Sequence, residues 1–456
     1  MATATLERPP GPKGGFFSAS SAFFRRDQLG FYESCARQYG DIVATRMGPY
    51  RIVLVYHPDA IEELLVARHR DFVKSPGVRL LRPLLGDGLL LSENETWLRQ
   101  RRLIQPAFHR QRVAGYGDVM TTLAERYVST WKAGDTLDVH AEMMALTQAI
   151  VAKTLFDADV SGEAHDAIHA AKILAEDFGA RLRSFRLIPY WLPTPRNLRS
   201  RRAVRRLDDL VHRIIAARQR TQEDRGDLLS MLVHAQDADD GTRMTAQQVR
   251  DEVMTIFMAG HETTAVALSW TWYLLAQHPD ADARLAAEVR DVLGDRPAAM
   301  ADLPRLKYAE MVVTESMRLY PPAYGLGRQA ATATELAGHP IAAGDIVIVP
   351  TWVVHRDRRW FDEPEAFRPE RWEGGLAQRL PRYAYFPFGG GPRQCIGNGF
   401  AMMEAILVVA AIAKRFRLSL VPGQHITPTP YVTVRPEPGP RVRLARRQDG
   451  SVSDTA

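Results

Sequence analysis

The sequence predicts a mainly α fold with small β-sheets, and three observations carry that prediction. The first is one very long helix. Thr245 and Gln248 form a capping-box pattern, after which Val249, Val253, Ile256, Gly260, Thr264, Ala267, Thr271 and Leu274 recur near every 3.6 residues until Pro279 stops the run. Extending to about Gln277, it is roughly 48 Å long, enough to cross a whole domain. The second is the stretch from Val113 to about Asp239, which reads as helix with one break at Phe185 to Pro195, where Pro189, Trp191 and Pro193 form an aromatic loop. The third is that the β-rich pieces are short and punctuated by turns. Ile42 to Arg46 and Arg51 to Tyr56 are joined by Gly48-Pro49, and further pieces between Ala330 and Pro350 surround Gly338 and Gly344-Asp345.

Composition narrows the function. The chain has 456 residues, ample for one large domain or two ordinary ones. Its net charge is +6, but the 59 basic residues are interspersed with 53 acidic ones and form no tail, so no nucleic acid partner is expected. Cys35 and Cys395 are the two cysteines, which excludes a disulfide framework and suits a reducing cytoplasm. No apolar run near the N-terminus reaches about 20 residues, so neither a membrane span nor a signal peptide is expected. We read residues 1–30 as a loosely ordered arm without a membrane anchor, 31–446 as the functional domain, and 447–456 as a disordered tail.

Along the chain, a helix is predicted around Phe31 to Tyr39, and Pro58 opens another that runs to about Arg68. Val73 to Leu91 is apolar without a clear period and reads as a loop. Trp97 and Arg101 stand four apart on one helix face, as a stacked pair would. The six arginines between Arg196 and Arg206 read as a solvated helix face. Glu315 and Arg318, three apart in the helix Tyr308 to Leu319, read as a salt bridge. Pro321 to Arg328 leaves that helix extended, and Tyr431 to Val434 with Val442 to Leu444 read as a last hairpin.

Two stretches resist such bland readings. Ala259-Gly260-His261-Glu262-Thr263-Thr264 sets an acid and two alcohols in the middle of a core helix, which is costly unless they find partners. A glycine there lets a flat group approach and loosens the helix. Phe388 to Gly397 reads F-G-G-G-P-R-Q-C-I-G and leads into an apolar helix from Asn398 to Phe416. Cys395 so lies at a helix N-terminus, where amides favour a thiolate, and Phe388 can wall it from water.

Here the chain resembles the cytochrome P450 family, whose cysteine loop follows F-x-x-G-x-R-x-C-x-G; Phe388, Gly391, Arg393, Cys395 and Gly397 fill every fixed position. The resemblance implies an α-rich prism around a buried haem b, with Cys395 as axial ligand of the iron. The family's W-x-x-x-R element falls on Trp97 and Arg101, which with Arg328 and Arg393 are implied to hold the haem propionates, while Phe388 and Gly260 lie against the macrocycle. The pattern A-G-x-[DE]-T-[TS] assigns Glu262 and Thr263 to steering protons toward dioxygen. The E-x-x-R pair Glu315 and Arg318 is implied to be buried with Arg371 of the Phe367-Arg368-Pro369-Glu370-Arg371-Trp372 segment. Ala259, Ala323, Tyr324 and Val432 are implied to line the substrate pocket. His261 and His355 receive no role.

The activity implied by this resemblance is that of a haem-dependent monooxygenase acting on a hydrophobic small molecule such as a fatty acid, terpenoid or steroid. No flavin, nicotinamide or iron–sulfur motif is visible beyond Phe416, so electrons are expected from NAD(P)H through a ferredoxin or flavodoxin and its reductase, docking near Arg99, Arg102, Arg110 and Arg112. The alternatives are a peroxide-driven peroxygenase, which Glu262 and Thr263 argue against, and a non-catalytic haem sensor or carrier, which would not need them.

Overall fold

The computed structural model describes residues 8–15, 18–157, 169–170, 173–174, 176–181, 189–221, 225–234 and 241–447. Its principal helices are α1 (Ala19–Arg26), α2 (Gln28–Tyr39), α3 (Asn94–Ile104), α4 (Arg110–Val128), α5 (Val139–Phe156), α6 (Pro195–Thr221), α7 (Ala246–Gln277), α8 (Pro279–Leu293), α9 (Lys307–Leu319) and α10 (Asn398–Arg415). The strands are β1 (Ile42–Met47), β2 (Tyr50–Val55), β3 (Phe72–Lys74), β4 (Thr136–Asp138), β5 (Leu326–Ala330), β6 (Thr334–Leu336), β7 (His339–Ile341), β8 (Ile346–Val349), β9 (Phe416–Leu420), β10 (Thr427–Pro430), β11 (Val434–Glu437) and β12 (Arg441–Arg446). They form a five-stranded sheet in the order β1-β2-β8-β5-β3, a three-stranded sheet β4-β12-β9, and the hairpins β6-β7 and β10-β11.

The long helix forms as its pattern requires. Thr245 Oγ1 accepts from the Gln248 amide at 3.2 Å while Gln248 Oε1 accepts from the Thr245 amide at 2.9 Å, so both orphan donors are satisfied. Apolar residues continue round α7 because it is packed on several sides. α5 runs along it, and Thr147 Oγ1 donates to the His261 carbonyl at 3.0 Å. The apolar core falls into two clusters. One lies among the helices, and the other lies between α1, α2 and the five-stranded sheet. The functional cavity opens where they meet.

Three expectations need correction. Residues 8–15 and 18–30 of the supposed loose arm are ordered: Ser18 caps α1, Phe24 packs edge-on against Phe31 and Tyr32, and the Ala44 amide donates to the Pro10 carbonyl at 2.8 Å. Clustered aromatic rings bury enough surface to order so short a segment. The last hairpin is paired differently. β11 pairs with β10, whereas β12 pairs with β9 and with β4, a strand some 300 residues earlier that short-range patterns do not reveal. The Val73 to Leu91 stretch is not one loop, because β3 and two short helices, Pro76–Arg79 and Arg82–Leu85, occupy much of it.

The helix from Pro58 also changes character. It is α-helical only to Glu62, after which Arg68 donates to the Glu63 carbonyl across a widened turn. Most of the arginines between Arg196 and Arg206 lie on the solvated side of α6 as expected, although Arg196 reaches Asp177. Residues 185–188 of the aromatic break and 448–456 of the expected tail lie outside the described residues.

Candidate active site

The cysteine loop is a tight fold of backbone. The Cys395 amide donates to the Phe388 carbonyl at 3.0 Å, closing a ring across the glycines. Gly391 has φ 65°, and a Cβ there would stand 2.0 Å from the Leu65 carbonyl oxygen, so the widened turn after Glu62 and the cysteine loop can approach only at a glycine. His355 braces the loop from behind. Its Nε2 accepts from the Phe386 amide at 2.9 Å, and burial, then Arg318 and Arg356, push its pKa down to about 3, so it is a neutral prop.

The Cys395 sulfur opens into a cavity of about 540 Å3 that separates this loop from the middle of α7. Ala259, Gly260 and Thr263 form the facing wall, and Ala323, Tyr324, Val432 and Phe388 also line it, as their motifs imply. Burial pushes the Cys395 thiol up, against the pull of the Gly397 amide and Arg101. α10 begins at Asn398, as the sequence predicts, and the Gly397 amide at its start favours the thiolate without offsetting the burial. A metal cation at the sulfur would favour the thiolate against that burial.

One end of the cavity is cationic. Arg101, Arg328, Arg393 and Lys74 all line it. Arg393 donates to the Ser92 carbonyl at 2.7 Å, pairs with Glu93, and lies 4.1 Å over the Trp97 ring, while Arg101 donates to the Gln394 carbonyl at 2.8 Å. Trp97 thus stacks on Arg393 and not on Arg101, its neighbour by spacing. Burial, with Arg393 close by, lowers Arg328 to about 10, and burial, then Arg328 and Arg393, lowers Lys74 to about 7. Cations so poorly compensated fit a ligand carrying two carboxylates, as haem b does. Lys74 was not a sequence candidate. A single lysine within an apolar stretch carries no pattern, and only the pairing of β3 with β5, which sets Lys74 opposite Arg328, reveals it.

Gly260 and Glu262 find neighbours that the sequence does not show. A Cβ on Gly260 would meet Val151 of α5 at 3.2 Å, so its missing side chain makes room for helix packing while its backbone stays in the cavity wall. Glu262 is buried beside the cavity without lining it. Its Oε1 accepts from Thr433 Oγ1 at 2.7 Å and pairs with Arg435 at 2.9 Å. Burial opposes its charge, but Arg435 and Thr433 prevail and hold the carboxyl below its ordinary range. Thr263 faces the cavity, and its hydroxyl donates back to the Ala259 carbonyl at 2.8 Å. Neither Thr433 nor Arg435 was anticipated.

Glu315, Arg318 and Arg371 come together as expected. Arg318 makes two bonds of 2.9 Å to Glu315, and Arg371 Nε adds one of 2.8 Å. Trp372 Nε1 and the Arg368 amide complete the acceptor capacity of Glu315, while Arg318 also donates to the carbonyls of His355, Pro364 and Ala366. Both Glu315 and Arg318 are 0% exposed, and the network ties α9 to the segment that braces the cysteine loop.

Among the described residues no helix is long and apolar enough to cross a membrane. The family model for cytochrome P450 matches residues 9–443. The chain is 40% identical over 402 residues to cyclooctatin synthase of Streptomyces melanosporofaciens, covering 88% of each protein. It is 38% identical to cyclooctat-9-en-7-ol 5-monooxygenase of the same organism, over 84% of each, and 33% identical to pentalenene oxygenase of Streptomyces avermitilis, over 92% of this chain and 93% of that one. The crystal structure of the cytochrome P450DA heme domain superposes with a TM-score of 0.88 at 26% identity, covering 97% of this chain and 98% of that chain. A cysteine sulfur facing an alcohol across an apolar cavity, cations gathered at one end, and likeness over nearly the whole length agree: the chain belongs to the cytochrome P450 family of haem-dependent monooxygenases.

Proposed function

We propose that this protein inserts one oxygen atom from dioxygen into a C–H or C=C bond of a compact terpenoid, and that Glu262 and Thr263 govern proton delivery to the site. The observation that carries the substrate class is the apolar wall formed by Leu89, Leu90, Ala259, Ala323 and Val432 on the part of the cavity away from the cations, supported by relatives named for cyclooctatin and pentalenene chemistry. Bound haem would supply activation of dioxygen, with a cysteine thiolate pushing electron density toward the oxygen. Lys74, Arg101, Arg328 and Arg393 would hold its carboxylates and Cys395 its iron. Phe388, Ala259 and Val432 exclude water, and Ala323 and Tyr324 shape the substrate side.

Thr263 is placed to present a hydroxyl to the cavity once it releases the Ala259 carbonyl, and Glu262 can exchange protons with it only by turning away from Arg435. Electrons would come from NAD(P)H through a ferredoxin or flavodoxin and its reductase. The exposed Arg102 at the end of α3 and Arg112 at the start of α4 support docking of an acidic carrier there. Two cysteines with no disulfide suit a cytoplasmic enzyme.

Titration of the ferric, haem-loaded protein tests the substrate class. Cyclooctat-9-en-7-ol and pentalenene are expected to give a saturable low-to-high-spin shift, and palmitic acid none. A shift with palmitic acid alone would replace the terpenoid reading with chain hydroxylation. Thr263→Ala is expected to leave that shift in place while diverting electrons to hydrogen peroxide, the product formed per electron pair falling roughly tenfold. Unchanged coupling would remove Thr263 from the proton path.

A further inference from the structure

Asp251 and Glu252 are consecutive buried carboxylates on α7, two turns before the Ala259 to Thr264 segment. Neither lines the cavity, and both grip the backbone of one loop. Asp251 Oδ2 accepts from the Asp87 amide and Glu252 Oε2 from the Leu89 amide, each at 2.9 Å. Gln100 Nε2 donates to the Asp87 carbonyl at 2.9 Å from the far side, and Arg82 holds the Asp87 side chain at 2.7 Å. The loop lies so close that a Cβ on Gly88 would stand 2.3 Å from Thr255 Oγ1 and 2.6 Å from the Asp251 carbonyl oxygen. At its end, Leu89 and Leu90 become cavity wall together with Thr255, Ile256 and Ala259.

Stability alone does not explain this arrangement. Glu252 is 0% exposed, makes a single hydrogen bond through Oε2, and leaves Oε1 without a partner among the described residues. Thr255 Oγ1 beside it is also unpartnered among them. Burying a carboxyl on such terms costs more than packing a leucine of similar volume. What a leucine could not do is fix the height of the Leu89 amide above the helix.

We propose that Asp251 and Glu252 are positioning residues that latch the 86–90 loop to α7 and thereby set the Leu89 and Leu90 wall that selects substrate shape. The inference rests on the reading of this cavity as the substrate site. Burial, followed by the neighbouring Asp251 and Asp87 charges, pushes Glu252 up to about 8 despite the Leu89 amide, so at neutral pH it is mostly a neutral acid. A glutamine can therefore replace it, while an alanine cannot. Asp251 is different, because Arg250 and Gln247 also hold its Oδ1, at 2.9 and 2.8 Å.

The test uses the haem-loaded protein and two readouts that need no turnover. Hydrogen exchange over residues 84–92 is expected to speed up about tenfold in Glu252→Ala and to stay within about twofold of the parent in Glu252→Gln. The ratio of dissociation constants for 4-phenylimidazole and imidazole, of which only the larger can reach the wall, is expected to change about fivefold in Glu252→Ala and not in Glu252→Gln. Gly88→Ala, which lifts the loop against the Thr255 hydroxyl and the Asp251 backbone while leaving both carboxyl groups in place, is expected to reproduce the Glu252→Ala result and serves if that variant does not fold. Unchanged exchange would overturn the latch. Faster exchange with an unchanged ratio would overturn its role in selection. Neither outcome depends on whether terpenoids are the substrates, which the spin-shift titration decides separately.

Discussion

Cys395→Ser is expected to bind haem without the absorption of a thiolate-ligated ferrous carbon monoxide complex, and to lose monooxygenase turnover. The sulfur is presented directly to the cavity, and its loop is built around it, from the Cys395 to Phe388 bond to the close approach at Gly391. A serine keeps that geometry, since its smaller oxygen strains nothing, so the fold should survive and the change should be electronic. Outer-shell changes at metal sites already cost about 10- to 100-fold, and loss of the ligand itself is expected to exceed about 100-fold in turnover. Thiolate-type absorption persisting in Cys395→Ser would mean that another residue ligates the iron.

Arg318→Ala is expected to have the largest effect on stability. It would leave the fully buried Glu315 carboxylate with Arg371 as its remaining arginine and would orphan the carbonyls of His355 and Pro364 that Arg318 now satisfies. Breaking one member of a buried charge network costs about 3–5 kcal/mol. Since His355 also receives the Phe386 amide, the damage should reach the cysteine loop. Thermal unfolding and the haem-to-protein ratio of the purified variant measure this, and an unchanged midpoint with full haem content would show the network to be dispensable. Arg318→Lys should rescue little, because an ammonium cannot reproduce the planar fork that meets Glu315 twice.

How far the sequence could be read depended on whether the interacting residues were close along the chain. The cysteine loop, the Glu315 and Arg318 pair and the capped start of α7 are local patterns, and the structure assembles each as its spacing implies; Arg371, 56 residues from Glu315, was reachable only through the family's motif. Glu262 shows where such reading stops. Its motif was legible, but its partners Thr433 and Arg435 stand more than 170 residues away, in a segment whose strand pairing follows from packing and not from any short-range pattern. Lys74 was hidden for a similar reason, since a strand of three residues is too short to show an alternation that would aim its side chain. Gly260 was legible as a glycine needing room, but which neighbour needed the room was decided by how α5 packs on α7. The aromatic N-terminal segment was undervalued because its order comes from docking on the sheet.

The pairing of β12 with β4 and of Arg435 with Glu262 has a consequence for how the protein is made. A chain emerging from the ribosome exposes Cys395, Lys74, Arg101, Arg328 and Arg393 before the residues that complete the sheet and the acid. Glu262 therefore finds its balancing charge only when the last strands arrive. A chain ending after β9 would lack both β12, which joins β9 to β4, and the arginine that balances Glu262, so the segment after β9 closes the sheet and the acid in one step.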